Sequence, residues 1–113
     1  MLSKKYRFHS RGGVRYTYRN GKTVRTPKLA LIFNDNPRKF TRFAVVVSKK
    51  VNKTAVGRNR IRRRVYEAIR LNLDKIPKNR DYIFVVYDVA LKNLPFLDLS
   101  ELICSLVRES MIK

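Results

Sequence analysis

Residues 55–70 read AVGRNRIRRRVYEAIR. At about 100° per residue, Ile61, Val65, Ala68 and Ile69 share one face and Asn72 continues it, so the spacing predicts a helix running to about Leu73. Asn59, Arg60, Arg63, Arg64, Tyr66, Glu67 and Arg70 occupy the other side, and Arg58 and Arg62 fall at the border. Asn52 is the expected N-cap. Like charges four residues apart, Arg58 with Arg62 and Arg60 with Arg64, each cost a helix on the order of 0.2–0.5 kcal/mol, and only Glu67 offsets them. Phosphates would supply the missing counter-charge, because guanidinium groups bind them bidentately.

Outward from this segment, the chain has 113 residues, a formal net charge of +19 and 44% hydrophobic residues. That length suits one domain with a modest core, and the apolar content is too high for a disordered basic tail. The charge is uneven. No acid precedes Asp35, whereas Asp81, Asp88, Asp98, Glu101 and Glu109 outnumber the cations after residue 80. One face for a polyanion, and one without, is the physical expectation. No apolar run approaches the roughly 18 residues of a membrane span, and the basic start MLSKKYRFHSRGG is followed by no apolar signal region. With Cys104 the lone cysteine, no disulfide framework exists and a cytoplasmic location fits.

Residues 10–20 can form a short helix, with Ser10 as N-cap and Gly21 as its stop, although Gly12 and Gly13 weaken it. Residues 22–26 and 28–33 read as strands broken at Pro27, and residues 41–48 (TRFAVVVS) as a third, with turn chemistry at residues 34–37. Residues 81–89 (DYIFVVYDV) form a strand whose nearly continuous apolar content suggests a central position. Asp98 and Glu101 resemble a capping box opening a last helix, striped by Leu99, Leu102, Ile103, Leu106 and Val107. The fold class expected is α+β, a single domain with one helix-covered sheet. A helix between two strands also admits a crossover connection.

The chemistry-bearing residues favour binding over catalysis. His9 is the only histidine, so a metal cluster or a Ser–His triad lacks parts. Gly21, Lys22 and Thr23 imitate the end of a phosphate loop, but Tyr16 stands where its first glycine belongs. Asn52 and Thr54 match a glycosylation acceptor in a chain with no sign of secretion, and Cys104 fits the core of the last helix. The acids are scattered, which leaves paired-carboxylate catalysis unsupported. Tyr6, Phe8, Tyr16 and Tyr18 are interleaved with arginines, as where unpaired bases stack beside phosphate contacts, while some of these rings can equally cover core. A solvated basic face is the plain alternative for the arginines.

Residues 48–67, SKKVNKTAVGRNRIRRRVYE, closely resemble the signature of the bacterial ribonuclease P protein subunit. The residues that carry the likeness are Ser48, Lys49, Lys50, Ala55, Val56, Arg58, Asn59, Arg60, Arg62 and Arg63. It extends over nearly the full chain, through Tyr18 to Gly21 and the strand beginning at Asp81. The resemblance implies an α-β-β-β-α-β-α order with a four-stranded sheet and a left-handed crossover through the arginine-rich helix. It implies a holoenzyme that removes the 5′ leader of precursor tRNA, with the catalytic centre and its Mg2+ ions carried by a large RNA and none bound by the protein alone. Lys49, Lys50, Arg58, Asn59, Arg60, Arg62 and Arg63 would contact that RNA. Tyr18, Thr23 and Ile32 would line a cleft for the single-stranded leader. Val14 replaces the phenylalanine usual four residues before Tyr18, so Tyr16 or Phe8 would supply the ring; Thr54 looks like an insertion, and Tyr66 stands where arginine is common. The partners implied are the catalytic RNA and precursor tRNA, with no membrane and no small-molecule substrate. A ribosomal-protein-like RNA binder and a protein-only nuclease are the alternatives.

Overall fold

The strand Arg80–Val86 (RDYIFVV) carries apolar residues on both faces, and a strand of that kind is stable only with neighbours on both edges and layers above and below. The computed structural model describes residues 2, 6–8, 11–36 and 40–112, the side chain of Arg11 excepted. The order is α1 (Arg11–Asn20), β1 (Lys22–Arg25), β2 (Leu29–Asp35), β3 (Arg42–Val47), α2 (Ala55–Leu71), β4 (Arg80–Val86) and α3 (Phe96–Ile112). Short 3-10 turns at Leu73–Lys75 and Val89–Lys92, unforeseen from the sequence, flank β4. The sheet runs β1-β2-β4-β3, so β4 is internal as expected. It pairs antiparallel with β2 and parallel with β3, and α2 makes the connection between the two parallel neighbours. The fold is the expected single α+β domain.

The cross-strand register sorts the side chains into two layers. On one face, Phe33, Tyr82 and Phe43 form a row across three strands, with the Tyr82 and Phe43 rings stacked 5.2 Å apart. Val24, Leu31, Phe84 and Val45 form the next row. Onto these pack Ile61, Val65, Ala68 and Ile69 of α2 and Leu99, Ile103, Leu106 and Val107 of α3, all buried in the main core. Leu102 is half-buried beside them. The helical spacing of both segments thus identified their inward faces. Asn72 is buried too: its Nδ2 donates to the Ala68 carbonyl at 2.7 Å and to Ser100 Oγ at 2.8 Å, tying the end of α2 to α3.

Several boundaries differ from the sequence expectation. Thr54, not Asn52, caps α2: its Oγ1 accepts from Gly57 N–H at 3.0 Å, while Asn52 Oδ1 accepts from the Thr54 backbone N–H and hydroxyl, each at 3.2 Å. The apparent insertion is therefore the cap itself. Helix α2 stops at Leu71 and β4 at Val86, where Tyr87 N–H turns to the Lys28 carbonyl at 2.9 Å. Helix α3 starts at Phe96, ahead of the supposed capping box, because the Pro95 carbonyl already accepts from Asp98 and Leu99 N–H at 2.9 and 3.0 Å. Glu101 instead pairs with Arg108 at 2.8 Å. Cys104 is half-buried at the edge of α3. Ser10, Pro37 and His9 lie outside the described residues.

Gly21 does end α1, but not through a left-handed backbone: no glycine in the described chain has positive φ. The reason is proximity. A Cβ there would lie 2.6 Å from the Thr17 carbonyl oxygen and 2.8 Å from that of Phe33. Gly21→Ala is expected to destabilise the fold by about 1–3 kcal/mol by prising α1 off β2; urea unfolding showing an unaltered midpoint would refute this.

The Tyr82 hydroxyl donates to the Pro77 carbonyl at 2.7 Å. Burial pushes its pKa from 10.0 up to about 12, with Arg80 partly opposing. Because the folded value lies above the unfolded one, the stability from keeping this phenol neutral is complete below pH 10 and is lost as pH rises through 12. Tyr82→Phe should make the alkaline loss of stability between those values shallower, measured by denaturant titrations at stepped pH.

Candidate nucleic-acid interface

Helix α2 has its apolar face on the sheet, which leaves its arginines to divide between the protein's own acceptors and water. The structure divides them sharply. Arg64 reaches across to the loop before α3, donating from Nη1 to the Leu91 carbonyl at 2.6 Å and from Nη2 to that of Leu94. Burial lowers its pKa, and neighbouring Arg60 adds to the effect. Arg70 Nε donates to Glu67 at 2.7 Å, a bond that holds the glutamate below its ordinary pKa. Arg58 turns back over the N-terminus of α2, donating from Nη1 to the Asn52 and Lys53 carbonyls at 3.0 Å each. Arg62 donates to Asn59 Oδ1. Arg60 and Arg63 are exposed and make no hydrogen bond or ion pair among the described residues.

Lys49 and Lys50 sit exposed in the turn closed by the Ser48 carbonyl, which accepts from Val51 N–H at 3.1 Å. That turn precedes the N-terminus of α2, where no acid occupies the first turn and the helix dipole adds positive potential. Val56 is 76% exposed on the same end. Of the candidate contacts, Asn59, Arg62 and Arg63 line one groove, Arg60 is exposed on the same helix, Lys49 and Lys50 lie in the turn before it, and Arg58 bonds back to the loop between them.

The opposite face of the sheet carries α1. Thr23, Ile32, Ile83 and Ala44 form one row across all four strands, and Arg25, Ala30, Val85 and Val46 the next. Thr17 is fully buried, so α1 meets the sheet through it; Val14 and Phe8 pack on Ile32, Ala44 and Ile83. Val46 and Val85 are left half-exposed, an apolar floor beside α1. Tyr16 and Tyr18 flank Thr17 at about 100° on either side, 62% and 44% exposed. Burial raises the Tyr18 pKa, as does nearby Tyr87, itself exposed. Thr23, Ile32 and Tyr18 thus share one side of the molecule. Phe8 is 7% exposed, with the Arg42 guanidinium 4.0 Å from its ring centroid. Arg42 is held there by Asp81, donating from Nε and Nη2 at 2.9 and 3.0 Å, and Asn36 Nδ2 adds a third bond to the same carboxylate.

A family model described as Ribonuclease P matches residues 2–109. The chain belongs to the Ribonuclease P family. The ribonuclease P protein component of Clostridioides difficile is 37% identical over 99 residues, spanning 87% of this chain and 85% of the relative. That of Pelotomaculum thermopropionicum is 36% identical over 95 residues, 84% and 76% of the two chains. The fold is shared with the RNase P protein of Staphylococcus aureus (TM-score 0.81, 22% identity, 95% and 96% covered). It is shared equally with that of Thermotoga maritima (0.82, 24%, 91% and 96%).

Among the described residues no three His, Cys, Asp or Glu side chains converge as a metal site. Five of the eight acids are engaged elsewhere: Asp81 by Arg42, Glu67 by Arg70, Glu101 by Arg108, Asp35 by Arg80 at 3.2 Å, and Asp88 by the Ala90 N–H at 2.8 Å. No helix among the described residues is long and apolar enough to cross a membrane. Sequence reasoning overlooked Arg7, which lies beside Arg62 and Arg63, and the half-exposed valines; only the register of the sheet brings Val46 and Val85 together.

If Arg60 and Arg63 face an RNA and Arg64 holds the fold, neutralising them has different signatures. Arg60→Gln with Arg63→Gln should flatten the log–log salt dependence of RNA binding by roughly 0.7–0.9 per lost phosphate contact. Arg64→Gln should cost about 1–3 kcal/mol of unfolding stability. Equal slopes for the two variants in filter binding across a salt series would refute this division.

Proposed function

We propose that this chain is the non-catalytic protein subunit of a cytoplasmic ribonuclease P that assists removal of the 5′ leader from precursor tRNA. Within that reading the outer face of α2, with Lys49, Lys50, Asn59, Arg60, Arg62 and Arg63, lies against the catalytic RNA. Arg58 contributes by fixing the approach to α2. The α1 side of the sheet takes the leader as a single strand, with Tyr18 offering a ring, Val46 and Val85 an apolar floor, and Thr23 and Ile32 the adjoining row. Tyr16, exposed on the outer flank of α1, can supply the ring that Val14 lacks; Phe8, lying under Arg42, supports the cleft from within.

The observation that carries this is the pair of exposed, unengaged guanidiniums on α2 in a chain of net charge +19 that belongs to this family. Magnesium chemistry resides with the RNA. The protein's contribution is fixed positive charge that replaces some of the diffuse cations the RNA would otherwise need, together with a second foothold on the substrate.

Reconstitution tests this directly. With precursor tRNA at low magnesium, protein alone should leave the substrate intact, RNA alone should cleave slowly, and the two together should cleave faster, with a preference for substrates bearing a leader. Cleavage by protein alone, or no effect on the RNA, would overturn the proposal; co-sedimentation with ribosomal subunits in place of activation would point to a structural RNA binder.

A further inference from the structure

Beside the exposed arginines of α2 lies an open groove of about 340 Å3, lined by Arg7, Asn59, Arg62, Arg63 and Tyr66. Its volume falls within the roughly 300–1,000 Å3 usual for small-ligand sites. Arg7 is placed by the backbone: it bridges in parallel to Phe43 on the free edge of β3, and Phe8 N–H donates to the Phe43 carbonyl at 2.7 Å. Its guanidinium carbon lies 5.9 Å from the centre of the Tyr66 ring, and its Nε–H is buried with no acceptor. Buried donors nearly always find acceptors; this one is covered from solvent, so what the groove offers a ligand is its lining of guanidiniums, amide and ring.

The lining contains no acid, which selects an anionic ligand. Arg62 gives one bond to Asn59 Oδ1, which leaves its remaining N–H groups, those of Arg63 and the Asn59 amide as donors. Tyr66 is half-buried against the main core, so its ring is a fixed wall; burial raises its pKa, with a Val45 backbone bond and the charges of Arg7 and Arg62 opposing. A smooth double-helical backbone would use the guanidiniums but not the ring. A nucleotide lifted out of its stack would use both, since unpaired bases stack on aromatic rings and on guanidinium planes.

Resting on the function proposed above, we propose that this groove receives one unpaired nucleotide of the partner RNA. Its phosphate lies between Arg62 and Arg63, and its base lies against Tyr66 and Arg7. Tyr66, at a position where the resemblance had suggested arginine, is then a binding residue.

The test uses the full-length chain and its catalytic RNA across a salt series. Tyr66→Leu should weaken binding about 5- to 100-fold with the salt slope unchanged, and Tyr66→Phe, which keeps the ring, should recover most of that loss. Because Tyr66→Leu can disturb packing, a second measurement uses the unaltered chain with 15N-labelled arginine. Adenosine 5′-monophosphate should shift both the Arg7 Nε–H and the Tyr66 ring resonances, and inorganic phosphate should leave the ring unmoved. A Tyr66 ring that ignores the nucleotide overturns the proposal, as does full-strength RNA binding by Tyr66→Leu while Arg60→Gln with Arg63→Gln binds weakly. That last result would leave the function itself standing, whereas an unaltered chain that fails to bind or assist the RNA would remove it.

Discussion

A guanidinium group cannot give up its proton, so each arginine on α2 must end against an oxygen or in water. This requirement organises the molecule. One side of α2 is sealed against the sheet by Ile61, Val65, Ala68 and Ile69, all fully buried. The cations are pushed into the remaining arc, where protein acceptors are few. Arg64 takes the carbonyls of Leu91 and Leu94, Arg58 those of Asn52 and Lys53, and Arg70 the carboxylate of Glu67. Arg60 and Arg63 are left over among the described residues, and they present unneutralised positive charge to solvent on a rigid rod.

The same reasoning explains the other half of the sheet. Asp81 sits near the end of the central strand and is buried, which is tolerable only because Arg42 meets it with two bonds and Asn36 with a third. The Arg42 guanidinium then lies over the Phe8 ring, holding residues 6–8 across the edge of β3. One ionic contact thus connects the internal strand, the N-terminal segment and the apolar layer beneath α1.

The sequence disclosed those features whose cause is local periodicity. The inward faces of α2 and α3 and the central place of residues 81–86 follow from the spacing and density of apolar side chains, and the structure keeps them. What it hid depends on contacts remote in the chain. Arg58 and Arg64 belong to the same run of arginines, yet one bonds the loop just before it and the other a loop nearly thirty residues on. Asn52 and Thr54 are both good caps, and only the bonds made in the fold, Gly57 N–H to Thr54 Oγ1 and Thr54 to Asn52 Oδ1, distinguish them. Phe8 could be assigned to a nucleic-acid surface because nothing local reveals that Arg42 lies over its ring. The groove at Arg7 joins residues more than fifty positions apart, out of reach of any periodicity.

The order of strands in the sheet differs from their order along the chain, and this bears on synthesis. Strand β4, which joins β2 to β3, is the last to leave the ribosome. Until residues 80–86 emerge, the nascent chain holds a β1–β2 hairpin and a detached β3, each with an unpaired apolar edge of the sort that invites association. Mutual repulsion between copies bearing so large a surplus of positive charge guards that interval, so the cationic character that suits the finished protein to a polyanion also keeps its unfinished form apart from its neighbours.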